Sequence, residues 1–537
     1  MRPIHKNAWF LAALSGVLQI LIFPLPGLYI LGWIAFAPLL VAILHARRPT
    51  TLQLPDAPGA KLVPANFFQA FLLGYLSGII WYAGTCYWIY NTMHQYGGLN
   101  VPAALGALLL FCLYLALYHG AFAGLVGPVA DPARSVSRRA LVSAPFLWVA
   151  VELARTRITG FPWDLLGTSQ VDNIPLARIA TATGVYGISF EIMVVNTAFT
   201  AAFLIRRSQR SMLLLAALSA ALVLQIGRWI APAPLPTDRS AVLLQENVSI
   251  LDSSAWTKDF FHSTLTEFSS LSEKPVTQAS SSASTRPDLI VWPESPAPFY
   301  TSDPLFREAV SGLAERTKQW VVAGSLGVRN ASETPEQATE VFNSGVLVSP
   351  RGEWVSRYDK VHLVPFGEYL PFKQIFSFAG GLTKEVGDFS RGTARDPINA
   401  GDKKLGVFIC YESVFPDEVR RFAKNGAQVF VNISNDGWYG DSGAYAQHLA
   451  QARMRAVENA RWILRSTNTG VTAAIDPYGR IVASIPRKTR ATLVAPYAVT
   501  NVTTFYTRHG DWFAYLCAII SVVALLTRFL PRKEAGK

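Results

Sequence analysis

The stretch "GVFICYESVFPDEVRR", Gly406–Arg421, carries an apolar run that stops at Cys410, with Tyr411 and Glu412 immediately behind it. The chain has four cysteines, and the other three, Cys86, Cys112 and Cys517, lie inside long hydrophobic segments. Cys410 therefore has no evident disulfide partner and no neighbouring second ligand for a metal. Taken alone it has two readings: a small buried hydrophobe, or a thiol kept for its chemistry.

The surrounding region sets the fold class. "SAVLLQENV", "DLIVWPES", "WVVAGSLGV", "SGVLVSP", "KLGVFICYE", "AQVFVNIS", "TGVTAAIDPYG" and "RIVASIP" read as short, mostly buried strands. "DPLFREAVSGLAERTKQ" and "AQHLAQARMRAVENARWILR" carry apolar residues at helical spacing. Strands alternating with helices predict a layered α/β domain. The Ser-rich segment 269–287 reads as a flexible surface insertion.

Outside that domain the chain changes character. Of its 537 residues 51% are hydrophobic, and the long apolar runs fall in 1–231 and 511–530. A bilayer-crossing helix needs about 20 mostly apolar residues, and eight segments qualify: 8–24, 28–45, 67–89, 101–127, 140–154, 183–204, 211–230 and 511–530. The expected division is a seven-helix membrane domain (1–231), an external domain (232–510), and an eighth helix with its tail (511–537). Between Pro232 and Gly510 there are 29 basic and 28 acidic residues, so about +11 of the net +12 sits on the membrane part. That placement argues against a nucleic-acid-binding surface and for loop charges that orient helices.

The basic residues alternate sides. Arg2, Lys6, Arg47, Arg48, Lys61, Arg134, Arg138, Arg139, Arg206, Arg207, Arg210 and the Arg528–Lys537 tail fall on one side. Only Arg155, Arg157 and Arg178 occupy short loops on the other, with Arg228 placed to snorkel. Both termini are then expected in the cytoplasm and the 232–510 domain outside. A signal peptide over 1–25 is disfavoured, because no small-residue cleavage pattern follows and a second span begins at once. Glu152 and Glu191, in or beside spans, are expected to make structural hydrogen bonds or face a partly wet cavity rather than catalyse.

Three strand ends in the external domain bear reactive groups. Glu294 follows "DLIVWP", Lys360 and Glu368 lie in "RYDKVHLVPFGEYLP", and Cys410 ends "GVFIC". A carboxylate can take the proton of a thiol, and an ammonium favours the thiolate and can stabilise an oxyanion. The backbone N–H after the cysteine would be a second oxyanion donor. Each residue alone is an ordinary strand-end side chain; the set, with its flanks, is not.

With "WPES", "YDKVHLVPFGEYLP" and "CYE", the Glu–Lys–Cys set resembles the nitrilase (carbon–nitrogen hydrolase) superfamily. The eight-span frame, together with "TGFPWDLLGTSQ" at 159–170, resembles the apolipoprotein N-acyltransferase family over nearly the whole chain. The resemblance implies a polytopic helical bundle bearing an α-β-β-α sandwich, with no metal and no organic cofactor. It makes Glu294 the general base, Lys360 the stabiliser of the tetrahedral intermediate and Cys410 the nucleophile. Glu368, Tyr411 and Glu412 match supporting positions, and Trp256, Gly160 and Trp163 match substrate-binding ones.

The implied reaction is ping-pong acyl transfer from a phospholipid, typically phosphatidylethanolamine, through a Cys410 thioester to the α-amine of a diacylglyceryl-cysteine on an apolipoprotein. The implied setting is a bacterial inner membrane with the catalytic domain periplasmic. A membrane-anchored amidase acting on a small soluble substrate, or a non-catalytic binding protein, are the competing expectations. Segment 371–389, with Phe372, Phe376 and Phe378 before a Gly-Gly pair, is expected to form a mobile apolar lid or else an ordinary packed loop. Replacing the three phenylalanines by serine should cut turnover of lipid substrates; unchanged turnover in a folded variant would remove the lid.

Overall fold

The computed structural model describes residues 4–47, 63–129, 138–204, 207–250, 256–279, 286–295, 297–330, 339–369 and 389–527. The expected lid at 371–389 lies, except for Phe389, outside the described residues. The chain forms two compact units. One comprises 1–87, 105–231 and 511–537, and the other 88–104 and 232–510.

Among the described residues of the second unit, apolar runs build two six-stranded sheets. The first contains β1 (Arg239–Gln245), β2 (Leu289–Val291), β3 (Trp320–Asn330), β4 (Thr339–Val348), β5 (Trp354–Asp359) and β12 (Ala491–Tyr497). Its order is β12-β1-β2-β3-β4-β5. The second contains β6 (Ile398–Ala400), β7 (Lys403–Ile409), β8 (Val429–Ser434), β9 (Ile463–Thr467), β10 (Thr472–Ile475) and β11 (Ile481–Ile485), in the order β11-β10-β9-β8-β7-β6. Strands β1, β2 and β3 run parallel, as do β7, β8 and β9, and the edges of each sheet are antiparallel.

Strand alternation decides which face each side chain joins. Ala241, Leu243, Leu289, Val291 and Val322 meet Val407, Ile409, Val431 and Ile433 in one core cluster. Their neighbours Val242, Leu244, Ile290 and Val321 pack instead under the helices Lys258–Ala279 and Pro304–Thr317, against Leu265, Phe268, Phe306 and Leu313. Helices Pro416–Lys424 and Ala444–Asn459 cover the other sheet. The result is a helix–sheet–sheet–helix sandwich. Its parallel strands put their carboxyl ends together, which is where open α/β sheets place ligands.

The structure corrects several details of the sequence reading. Residues 269–279 are helical, not a flexible insertion: Phe268 and Val276 pack into the core, and Ser272 accepts the Trp292 indole N–H at 2.9 Å. The helix expected through Arg465 ends at Asn459, where Ala460 turns left-handed (φ 50°), and "WILR" leads into β9. Edge strands β6 and β12 carried no signal that stood out, since β6 has three residues and β12 contains Pro496. Residues 88–104, expected in the membrane part, belong to the second unit. Trp88 packs edge-on to Tyr439 (5.3 Å), Tyr96 to Trp438 (5.5 Å), and Thr92 donates to the Trp438 carbonyl (3.0 Å).

In the first unit, four helices among the described residues are long and apolar enough to cross a bilayer: Phe67–Thr85, Val101–Gly127, Val185–Leu204 and Gln209–Trp229. Lys6–Ile22, Arg138–Ala154 and Trp512–Leu526 are shorter. Segment 28–45 is not one helix but a 3-10 turn, Tyr29–Trp33, followed by Ala37–Leu44. The break is held by Asn196, whose side chain accepts the Phe36 and Ala37 N–H groups (2.8 and 3.2 Å) and donates to the Gly32 carbonyl (2.7 Å). Glu152 is buried and accepts the Leu166 N–H at 2.7 Å, tying down the 159–170 loop.

One glycine of the sandwich matters to the site. A Cβ on Gly324 of β3 would collide with the Pro293 carbonyl oxygen and sit 2.8 Å from the Glu294 Cα. Gly324→Ala should destabilise the protein by about 1–3 kcal/mol and depress activity by moving Glu294. Thermal unfolding and turnover at wild-type values would show that the two strands do not need this approach.

Candidate active site

Glu294, Lys360 and Cys410 each sit where a strand ends. Glu294 follows β2 through Trp292 and Pro293, and Lys360 follows β5 directly. Cys410 opens a 3-10 turn, Cys410–Val414, at the end of β7. The register of β4 against β5, Ser344 opposite Asp359, brings Asn343 beside Lys360, whose N–H donates to the Asn343 carbonyl at 2.8 Å.

The charged groups form a closed set. Lys360 Nζ lies 2.8 Å from Glu368 Oε1 and 3.4 Å from Glu294 Oε1. The Asn343 amide donates to both carboxylates, at 2.6 Å to Glu294 and 2.7 Å to Glu368. The remaining carboxylate oxygens accept backbone N–H groups, Glu294 Oε2 from Asn435 (2.7 Å) and Glu368 Oε2 from Val364 (2.8 Å). Lys360 is 1% exposed, and Glu294 and Glu368 are 6% exposed. Burial alone would lower the Lys360 pKa, but the charges of Glu368 and then Glu294 outweigh it and hold the ammonium above its ordinary range.

Cys410 is buried and left-handed, with φ 47°. That conformation costs an L-residue about 1–3 kcal/mol and marks a position the surroundings must hold. Burial and the Glu294 charge push the thiol up, while Lys360 pulls it down, so all three groups share one electrostatic site.

Glu412 holds the turn in place. Its Oε1 accepts the Tyr358 hydroxyl (2.8 Å) and the N–H groups of Val361 (2.8 Å) and His362 (3.1 Å), and its Oε2 accepts the Ile409 N–H (2.8 Å). One carboxylate thus joins the chain beside Lys360 to the residue before Cys410. Tyr411 packs its ring against Phe415, 5.1 Å away and near perpendicular.

Trp256 joins an aromatic cluster with Phe260, Phe261 and Phe299, under the outer helices. Gly160 and Trp163 belong to the other unit. Gly160 is left-handed (φ 67°) after a π turn, and Trp163 is buried. Sequence reasoning missed Asn343 and Asn435, and also Asp436, His448 and Arg465 behind the cysteine. The available signal was polar residues inside otherwise apolar strands, as in "VFVNISND" and "VFNSGV".

Comparison with known proteins covers both units. The carbon-nitrogen hydrolase family matches residues 254–505, and the apolipoprotein N-acyltransferase N-terminal domain matches residues 15–198. The chain is similar to an apolipoprotein N-acyltransferase from Geobacter metallireducens, 36% identical over 97% of this chain and 96% of the relative. It is also similar to those from Vibrio parahaemolyticus (31% identical, 87% of this chain and 90% of the relative) and Methylococcus capsulatus (33%, 92% and 94%). A nitrilase-like sandwich, a helical apolar unit and full-length similarity agree: the chain belongs to the apolipoprotein N-acyltransferase family.

Proposed function

We propose that the protein moves an acyl chain from a membrane phospholipid, through a thioester on Cys410, to the α-amine of a diacylglyceryl-cysteine at the start of an apolipoprotein. The observation that carries this reading is the buried Glu294–Lys360–Glu368 set acting on a left-handed Cys410. Its thiol is held up by burial and by Glu294, so the resting group is a neutral thiol that needs a base.

In the first half-reaction Glu294 takes the Cys410 proton as sulfur attacks the ester carbonyl. Lys360 and the Tyr411 N–H stabilise the tetrahedral oxyanion. The ester C–O bond then breaks, and the leaving alkoxide takes the proton from Glu294 to give a lysophospholipid. In the second half-reaction the amine attacks the thioester, Glu294 takes its proton and the C–S bond breaks. The proton returns to sulfur, and a stable amide results. Glu368 and Asn343 keep Lys360 and Glu294 aligned, and Glu412 keeps the Cys410 turn against Lys360.

The placement of basic residues supports eight spans, both termini in the cytoplasm and an external catalytic domain; membership of the family supports the inner membrane of a Gram-negative bacterium as the setting, with that domain periplasmic. Both substrates are lipids, which accounts for a sandwich tethered at both ends. Phosphatidylethanolamine is the proposed donor, and Trp256, Gly160 and Trp163 are the proposed substrate-handling residues.

Two measurements test the reading. With a phospholipid donor and a diacylglyceryl peptide varied together, double-reciprocal plots should be parallel, and Cys410→Ala should abolish transfer. Intersecting plots, turnover of soluble amides without lipid, or an active alanine variant would contradict it. The second is the pH profile of Cys410 alkylation. Glu294 raises the thiol pKa and Lys360 lowers it, so Glu294→Gln should move the profile to lower pH and Lys360→Met to higher pH; unmoved profiles would separate these groups from the thiol.

A further inference from the structure

Behind the Cys410 turn lies a second buried polar cluster that the proposed chemistry leaves unused. His448, in the helix Ala444–Asn459, is fully buried. Its Nε2 lies 2.7 Å from Ser413 Oγ and 3.0 Å from the Cys410 carbonyl oxygen, and its Nδ1 lies 3.0 Å from Asp436 Oδ1. Arg465 of β9 donates to both Asp436 oxygens, at 3.1 and 2.8 Å, and also approaches His448 Nδ1 at 3.2 Å. Ser434 donates to Asp436 at 2.8 Å, and the Tyr439 ring stands edge-on to the imidazole at 5.6 Å.

Donor and acceptor chemistry then assigns the ring its part. A carbonyl oxygen and a carboxylate only accept, so Nε2–H donates to Cys410 and Nδ1–H donates to Asp436. Burial would raise the Asp436 carboxyl, but Arg465 and then His448 outweigh it and hold it well below the ordinary range, so the group facing Nδ1 is a carboxylate. The ring is therefore braced from behind by Asp436 and Arg465.

The bond His448 makes is to the backbone of the nucleophile. The Cys410–Tyr411 peptide is trans and planar, so its carbonyl and its N–H point in opposite directions. Fixing the Cys410 oxygen on the His448 side turns the Tyr411 N–H to the opposite side. We propose that His448 is a positioning residue for acyl transfer: by holding the Cys410 carbonyl it keeps the left-handed turn and aims the Tyr411 N–H at the oxyanion. The inference rests on the reading of Cys410 as the nucleophile.

The test separates steps that need an oxyanion donor from one that does not. Acylation of Cys410 by phospholipid passes through an oxyanion, whereas alkylation by iodoacetamide is a displacement at carbon without one. Mass spectrometry of the full-length protein in detergent follows both on wild type, His448→Ala and His448→Gln, with thermal unfolding alongside. His448→Leu fills the volume without a donor, should the alanine variant not fold. Loss of an aimed oxyanion donor should slow acylation about 100-fold, while alkylation and the phospholipid KM stay within about threefold. Gln, which keeps an N–H, should restore part of the acylation rate. Acylation at the wild-type rate, or acylation and alkylation falling together with Gln no better than Ala, would overturn the proposal. Absence of any phospholipid-derived adduct on wild-type Cys410 would instead overturn the nucleophile reading, and this inference with it.

Discussion

Lys360 is 1% exposed and lies between two carboxylates, 2.8 Å from Glu368 and 3.4 Å from Glu294. Taking an ion out of water costs several kcal/mol unless its hydrogen bonds and charge are matched. Here two anions surround one cation, so the set is matched only if other donors serve the spare carboxylate oxygens. Asn343, Asn435 and Val364 supply them. The strand ends that carry these groups must therefore meet within tenths of an ångström. The architecture of the sandwich, with parallel strands ending side by side and β4 in fixed register with β5, is what brings them there.

Around that set the backbone is held in costly conformations by specific partners. Cys410 is left-handed, Glu412 links its turn to the Lys360 segment through three hydrogen bonds and takes a fourth from Ile409, and the Cys410 carbonyl faces His448. In the proposed mechanism this rigidity has a purpose. An oxyanion exists only fleetingly, and donors already in place stabilise it without reorganising. Burial and the Glu294 charge push the thiol up, which fits the same scheme: in the proposed mechanism proton removal is coupled to attack.

Much of this was legible in the sequence, for physical reasons. Glu294 and Cys410 abruptly end apolar strands, a local contrast that one sequence displays, whereas Lys360 follows the polar strand Trp354–Asp359 and stood out only as part of the set with its flanks. The two-sheet sandwich followed from the family resemblance, and its strand content from apolar runs. What escaped depends on pairing across long separations. Asn343 matters through β4–β5 register, Ser272 is helical and buried because Trp292 reaches it, and the break in 28–45 is held by Asn196, some 160 residues away. His448 looks like an ordinary polar face residue of a helix until Asp436 and Cys410 are brought against it.

The central claim is that Cys410 carries the acyl chain, and intact mass of the purified protein after incubation with a defined phospholipid tests it most directly. The account predicts one added acyl mass on wild type that hydroxylamine removes, that is absent from Cys410→Ser, and that passes to the amine of an added diacylglyceryl peptide. A folded wild-type protein that gains no mass, or gains it equally in Cys410→Ser, would contradict it.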